Sequence, residues 1–167
     1  MNLYFLRHGL AEARTAANLR TDARRPLTAK GVKRMRKIAR AIKAMDLSFD
    51  LILSSPYVRA QQTAEIVAAE LNAHKRVRLA DELGASAHPK DTLASLAHLR
   101  PAPKDLLLVG HEPHLSSLIS VLLSGSSAIE TDLKKGGLCK LSLGSVKPPQ
   151  RATLEWLLTP KQMTLMA

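Results

Sequence analysis

The sequence predicts an α/β protein: a three-layer sandwich with a mostly parallel central sheet, helices on both faces, and a C-terminal antiparallel edge hairpin. Three observations carry this. Short apolar runs alternate with helical periods as far as residue 123, and parallel strands require covered, right-handed crossovers. Two later runs flank a turn at Lys147-Pro148-Pro149, the pattern of a hairpin. The 167 residues are 46% apolar and 23% charged, enough chain to bury about 70% of the unfolded surface in one domain spanning residues 1–167.

The elements follow in order. Met1–Leu6 is an apolar run that ends at Arg7-His8-Gly9, as a buried strand delivering side chains to a sheet edge would. Residues 10–26 lack a sustained apolar period and read as a loop. Thr28 is a helix N-cap, and Val32, Met35, Ile38, Ala39, Ile42 and Met45 trace one buried helix face. The opposite face, from Lys30 to Lys43, is basic throughout. Leu51–Leu53 is a second strand, and Ser54-Ser55-Pro56 turns into a helix that buries Ala60, Thr63, Ala64, Val67 and Leu71. Arg76–Leu79 alternates as a strand, and Asp91–Leu99 reads as a helix closed by Pro101 and Pro103. Leu106–Val109 is the most apolar strand; Gly110-His111 ends it, Pro113 suits a first helical turn, and Leu115, Leu118, Ile119 and Leu122 form a buried stripe. Leu138–Leu143 and Thr153–Leu158 complete the sheet.

Composition excludes several classes. With one cysteine, Cys139, there is no intrachain disulfide and no zinc-ligand cluster. No run approaches the roughly 18 apolar residues of a membrane helix, and the N-terminal run is too short for a signal-peptide core, so a cytoplasmic location is expected. The 25 Lys and Arg against 14 Asp and Glu leave a net charge of +11, which favours an anionic partner. Nucleic acid fits poorly, because Tyr4, Phe5, Phe49, Tyr57 and Trp156 form no stacking platform on the basic helix.

In open sheets of this kind ligands bind beyond the carboxyl ends of the strands. Arg7 and His8 follow the first strand, His111 follows the fourth, and Arg59 lies at the start of the helix after the second. Two imidazoles and two guanidiniums on one sheet edge need an anion, and guanidinium holds phosphate oxygens in a fork. A neutral imidazole attacks phosphorus, the arginines neutralise the equatorial oxygens, and His111 bonds a phosphoryl oxygen as imidazolium. The expected cofactor and metal are none.

Leu6-Arg7-His8-Gly9, the run from Ser54-Ser55-Pro56 through Arg59-Ala60-Gln61-Gln62-Thr63-Ala64, and Val109-Gly110-His111-Glu112-Pro113 resemble the three signatures of the histidine phosphatase superfamily, the phosphoglycerate mutase-like proteins, in the same order. The short length and Arg25-Pro26-Leu27-Thr28-Ala29-Lys30-Gly31 resemble the SixA-type phosphohistidine phosphatases. The resemblance implies a phosphoenzyme at His8, with Arg7, Arg59 and His111 completing the phosphate pocket. It also implies a general acid after the third strand, where Glu82 is the candidate. Arg25 is a candidate at the phosphate rim.

Two departures bear on function. Where the mutase branch places an asparagine six residues after the nucleophile, this chain has Arg14, and the nearest asparagine is Asn18. Only 26 residues separate Leu79 from Leu106, too few for a large lid, so the pocket is expected to be open. An open pocket suits a phosphorylated protein, for example a histidine-phosphotransfer domain in signal transduction; small phosphate esters are the alternative substrates. His114 is expected to face solvent or the pocket mouth in a structural role, and Cys139 to be a buried hydrophobe.

Overall fold

The computed structural model describes residues 1–15, 21–146 and 151–167. Asn18 and the Lys147-Pro148-Pro149 turn lie outside the described residues. Six strands, β1 (Asn2–Arg7), β2 (Leu51–Ser54), β3 (Val77–Leu79), β4 (Asp105–Gly110), β5 (Leu138–Leu143) and β6 (Ala152–Leu158), form one sheet in the order β3-β2-β4-β1-β5-β6. β1 to β4 pair in parallel, while β5 runs antiparallel to β1 and β6 antiparallel to β5. This is the fold class that the alternating pattern predicts.

The pleat sorts side chains into two layers. Tyr4, Leu6, Ile52, Leu107 and Val109 face helices α1 (Ala29–Ala44) and α2 (Val58–Glu70) together with Met163. Leu3, Phe5, Leu51, Leu53, Leu106 and Leu108 face α3 (Pro89–Ala97) and α4 (His114–Ser124). The inner strands β1, β2 and β4 are apolar except at their ends because both of their faces are covered.

Thr28 caps α1 by accepting from the Gly31 amide at 3.0 Å. Gly31 is required there, since a Cβ would run into the Leu10 carbonyl. That carbonyl also accepts from the Thr28 amide at 3.0 Å, so the segment after β1 is closed against the helix start. All seven basic residues of α1 are exposed.

Some boundaries differ from the sequence pattern. α3 starts at Pro89, capped by His88 Nδ1, two residues before the apolar period predicts. A 3-10 turn at His74–Arg76 takes Arg76 out of the third strand, which starts at Val77. One further helix, α5 (Pro160–Leu165), follows β6, and its Thr159/Gln162 capping box and Met163 anchor seat it on α1. No helix among the described residues is long and apolar enough to cross a membrane.

Candidate active site

The parallel register sets Leu6 opposite Val109, Arg7 opposite Gly110, and Ser54 opposite Val109. Three strands therefore end at one level, and the chain positions just beyond them converge. The His8 amide donates to the Gly110 carbonyl at 3.1 Å and the Ser55 amide to the Val109 carbonyl at 2.9 Å. Beyond these ends the rings of His8 and His111 lie 5.0 Å apart, tilted by 56°. Both rings are buried, as are Arg59 and Ser55.

The hydrogen bonds define the state of His8. Nδ1 lies 2.7 Å from the Gly9 carbonyl, which can only accept, so Nδ1 carries the proton and Nε2 the lone pair. Arg59 Nε donates to that lone pair at 3.3 Å. Burial pushes the His8 pKa down to about 3; the Gly9 bond opposes this, and Arg59, Arg7 and Lys135 add to it. His111 is also pushed down to about 3, by burial first and then by His8 and Arg59. Both imidazoles are thus neutral, and a dianion placed beside His111 would favour its charged form.

Thr63 braces the constellation from α2. Its hydroxyl accepts from the Gly9 amide at 3.1 Å and donates to the Arg59 carbonyl at 2.7 Å. Arg7 donates through Nη1 to the Leu133 carbonyl at 2.9 Å, while its buried Nε has no partner among the described residues. His111 bonds Ser55 Oγ through Nε2 at 2.8 Å and leaves Nδ1 buried without a described partner. Tyr57 packs against His111 at 4.9 Å between centroids and lies 5.0 Å below the Arg59 guanidinium.

One expectation is corrected here. The sequence pattern leaves Arg7 and Arg59 to be neutralised by an incoming anion, whereas Asp22 already pairs with Arg59. Its carboxylate sits 3.0 Å from Arg59 Nη2, 2.8 Å from Arg25 Nη2 and 3.8 Å from Arg14 Nε. Burial pulls the Asp22 carboxyl up, but Arg25 and Arg59 outweigh it and hold the group below the usual range.

Arg7, His8, Arg59, His111, Arg25 and Arg14 share a cavity of about 600 Å³ with Asp22, Tyr57, Glu112 and Lys135. Glu82 does not line it. Its carbonyl is held at 2.6 Å by Thr92 Oγ1, and the segment after it reaches the cavity wall at Ala85 and Ser86. Besides Asp22, which pairs with the arginines, Glu112 brings a carboxyl to the wall; its pKa is raised by burial against an opposing Ser116 hydrogen bond, and Oε1 lacks a described partner.

His114 is also relocated. It is buried, with Nε2 2.9 Å from Thr92 Oγ1, and so joins α4, α3 and the turn at Glu82. Its role is structural as expected, but it faces neither solvent nor the pocket mouth. Cys139 is buried and its thiol pKa is raised to about 12 by burial.

Asp22, Glu112, Ser55, Tyr57 and Lys135 were not singled out from sequence. Glu112 and Ser55 lay inside quoted motifs, and Asp22 stood among arginines. Lys135 had no local signal, because β5 reaches β1 only through the sheet order. A larger cavity of about 770 Å³ lies between α1 and α2, away from both histidines. Among the described residues, no three His, Cys, Asp or Glu side chains gather as metal ligands.

Fold and site together set two neutral imidazoles among arginines at the strand ends of an α/β sheet, an arrangement suited to a phosphate-sized anion. A family model described as the histidine phosphatase superfamily (branch 1) matches residues 3–86. An uncharacterized protein of Picosynechococcus sp. is 40% identical over 151 residues, 88% of each chain. The phosphohistidine phosphatase SixA of Escherichia coli (strain K12) is 29% identical over 128 residues, 76% of this chain and 77% of that one. A solved structure of the protein histidine phosphatase SixA complexed with tungstate superposes with a TM-score of 0.81 at 25% identity, covering 96% of this chain and 98% of that one. The chain belongs to the histidine phosphatase superfamily.

Proposed function

We propose that the chain is a metal-independent, cytoplasmic phosphatase that removes phosphate from phosphohistidine on a signalling protein, with His8 as nucleophile. The single observation that carries this is the tautomer of His8: Nδ1–H is fixed on the Gly9 carbonyl, and the Nε2 lone pair is held beside Arg59. Nε2 attacks phosphorus, the bond from phosphorus to the substrate nitrogen breaks, and its electron pair leaves with the substrate imidazole, which takes up a proton. Water then attacks the phosphohistidine, the Nε2–P bond breaks, and inorganic phosphate departs.

Arg7, Arg59 and His111 hold the phosphoryl oxygens, and Arg25 closes the rim through its contact with Asp22. Charge on the equatorial oxygens is met by fixed guanidiniums, which is the main electrostatic requirement of phosphoryl transfer. The substrate imidazole leaves neutral once its far ring nitrogen carries a proton, and with a pKa of about 6.5 the ring can take that proton from solvent near neutral pH, so the site needs no strong acid for it. For less acidic leaving groups, Glu112 takes the proton-donor role that sequence reasoning gave to Glu82. The similarity to the SixA phosphatases supports phosphohistidine as the substrate class.

The second reading, a phosphatase of small phosphate esters, draws on the same His8 tautomer, and the 26 residues between Leu79 and Leu106 leave little chain to shield the cavity from either kind of substrate. The two separate in one experiment. A phosphohistidine protein and a panel of small phosphomonoesters are turned over in the presence of a chelator, with vanadate as competitor. The proposal expects the phosphohistidine protein to be preferred by kcat/KM, inhibition by vanadate, and no effect of the chelator. Preference for a small ester overturns the substrate assignment, and loss of activity restored by a divalent ion overturns the mechanism.

A further inference from the structure

A second cavity of about 600 Å³ adjoins the phosphate site and shares Arg7 and Lys135 with it. Its other cations come from three distant parts of the chain: Arg34 on α1, Lys134 before β5, and Lys161 on α5. Among the described residues no carboxylate lines it; Leu10, Thr159 and Pro160 complete the wall. Five cationic side chains around one concave surface repel each other unless an anion occupies it.

The Lys134–Gly137 turn that carries two of these charges is fixed to the catalytic strand. The Gly136 amide donates to the Arg7 carbonyl at 3.0 Å, the Arg7 amide to the Gly137 carbonyl at 3.2 Å, and the Gly137 amide to the Lys134 carbonyl at 2.6 Å. Gly136 has φ +83°, a conformation other residues rarely adopt. Burial and the neighbouring Arg7, Arg25 and Arg59 hold the Lys135 ammonium below its usual pKa. Lys134 is also in contact with the exposed Asp132 carboxylate, and exposed pairs of this kind are weak.

We propose that this second cavity is a docking subsite for an acidic segment of the protein substrate, placed beside the phosphohistidine as it enters the His8 pocket. The inference rests on the phosphohistidine-protein reading above. The two cavities differ in the way that two kinds of anion require. The phosphate site is built from buried imidazoles and a fixed guanidinium, which read a compact, directional group. The flanking subsite presents exposed ammoniums on flexible stems, point charges that read net charge along a segment. Leu10 and Pro160 offer that segment apolar contact.

The subsite also sorts the basic face of α1. Arg36 and Arg40 line the groove against α2, where Glu65 and Glu70 also stand. At about 100° per residue, Arg34 lies roughly 200° round the helix from Arg36, which brings it to the active-site side.

The test uses a fluorescently labelled peptide of consecutive glutamates and the full chain, with binding followed by anisotropy at low salt. The triple substitution Arg34→Gln, Lys134→Gln and Lys161→Gln is expected to weaken binding at least tenfold. A control of equal charge, Lys33→Gln, Arg36→Gln and Arg40→Gln, is expected to change it less than twofold. Melting temperature checks both folds; if the triple variant does not fold, Lys161→Glu alone should weaken binding at least threefold. Equal losses in the two triples would overturn the subsite in favour of non-specific charge. Stronger site-dependent binding of tripolyphosphate or a single-stranded oligonucleotide would overturn it in favour of a polyphosphate or nucleic-acid site. His8→Ala should bind the peptide like wild type, so failure of the catalytic reading and failure of docking give different results.

Discussion

Arg59 Nε donates to His8 Nε2 across 3.3 Å, so the lone pair of the proposed nucleophile faces a guanidinium. The contact marks the imidazole as neutral, since an imidazolium has no lone pair to accept with. The same guanidinium donates to Asp22 through Nη1 and Nη2. Arg59 is therefore pre-oriented between the nucleophile and an internal carboxylate, and an incoming phosphate takes over contacts that already exist.

Removing Arg59 should be costly for catalysis. Charge-assisted bonds to phosphate contribute about 1.5–3 kcal/mol, so Arg59→Ala should lower kcat/KM at least tenfold. A loss smaller than threefold would show that the guanidinium is not a phosphate ligand.

Asp22 competes with substrate for Arg59 and Arg25. A partly exposed pair is worth up to about 1 kcal/mol, so Asp22→Asn should tighten inorganic phosphate inhibition about fivefold, read from the inhibition constant against a small ester. Weaker inhibition would mean that Asp22 orients the arginines more than it occupies them.

Acid stability should report the two neutral imidazoles. The folded pKa values of His8 and His111 are near 3, against about 6.5 when unfolded. Between these values the unfolded chain binds more protons, so their contribution is whole above pH 6.5 and is lost as pH falls through about 3. Asp22 and Asp50, held low by their hydrogen-bond partners, lose stability in the same direction at lower pH. The double variant His8→Asn, His111→Asn keeps those carboxylates, so its melting temperature should fall less between pH 7 and pH 4.5 than that of wild type. Parallel declines would contradict buried neutral imidazoles.

Glu112 should matter only when the leaving group needs a proton. Glu112→Gln should cut turnover of an alkyl phosphate about a hundredfold, within the usual range for general acids, and change p-nitrophenyl phosphate less than threefold. Glu82→Gln should affect neither. Equal losses on both esters for Glu112→Gln would assign it to the fold.

The residues whose placement was legible in the sequence were those fixed by a local position. Arg7-His8, Arg59 and His111 stand just past apolar strands or at a helix start, and a parallel sheet brings such positions to one edge. Thr28 and the α1 stripe were legible because capping and period are local. Lys135 was not, because its turn meets Arg7 only through the antiparallel insertion of β5 beside β1, a long-range pairing with no sequence period. Glu82 was misplaced for a related reason: Thr92 on α3 fixes the turn after β3, and that contact decides which residue of residues 82–86 reaches the cavity. α5 had a readable signal in Thr159-Pro160 and Gln162, but its buried face is too short to show a period.

The central claim is the covalent intermediate at His8. Rapid quenching of turnover with a radiolabelled phosphohistidine protein should trap one phosphoryl group per chain, stable to alkali, labile to acid, mapped to the peptide containing His8, and absent from His8→Ala. An acid-stable label on Ser54 or Ser55, or His8→Ala activity within tenfold of wild type, would contradict it.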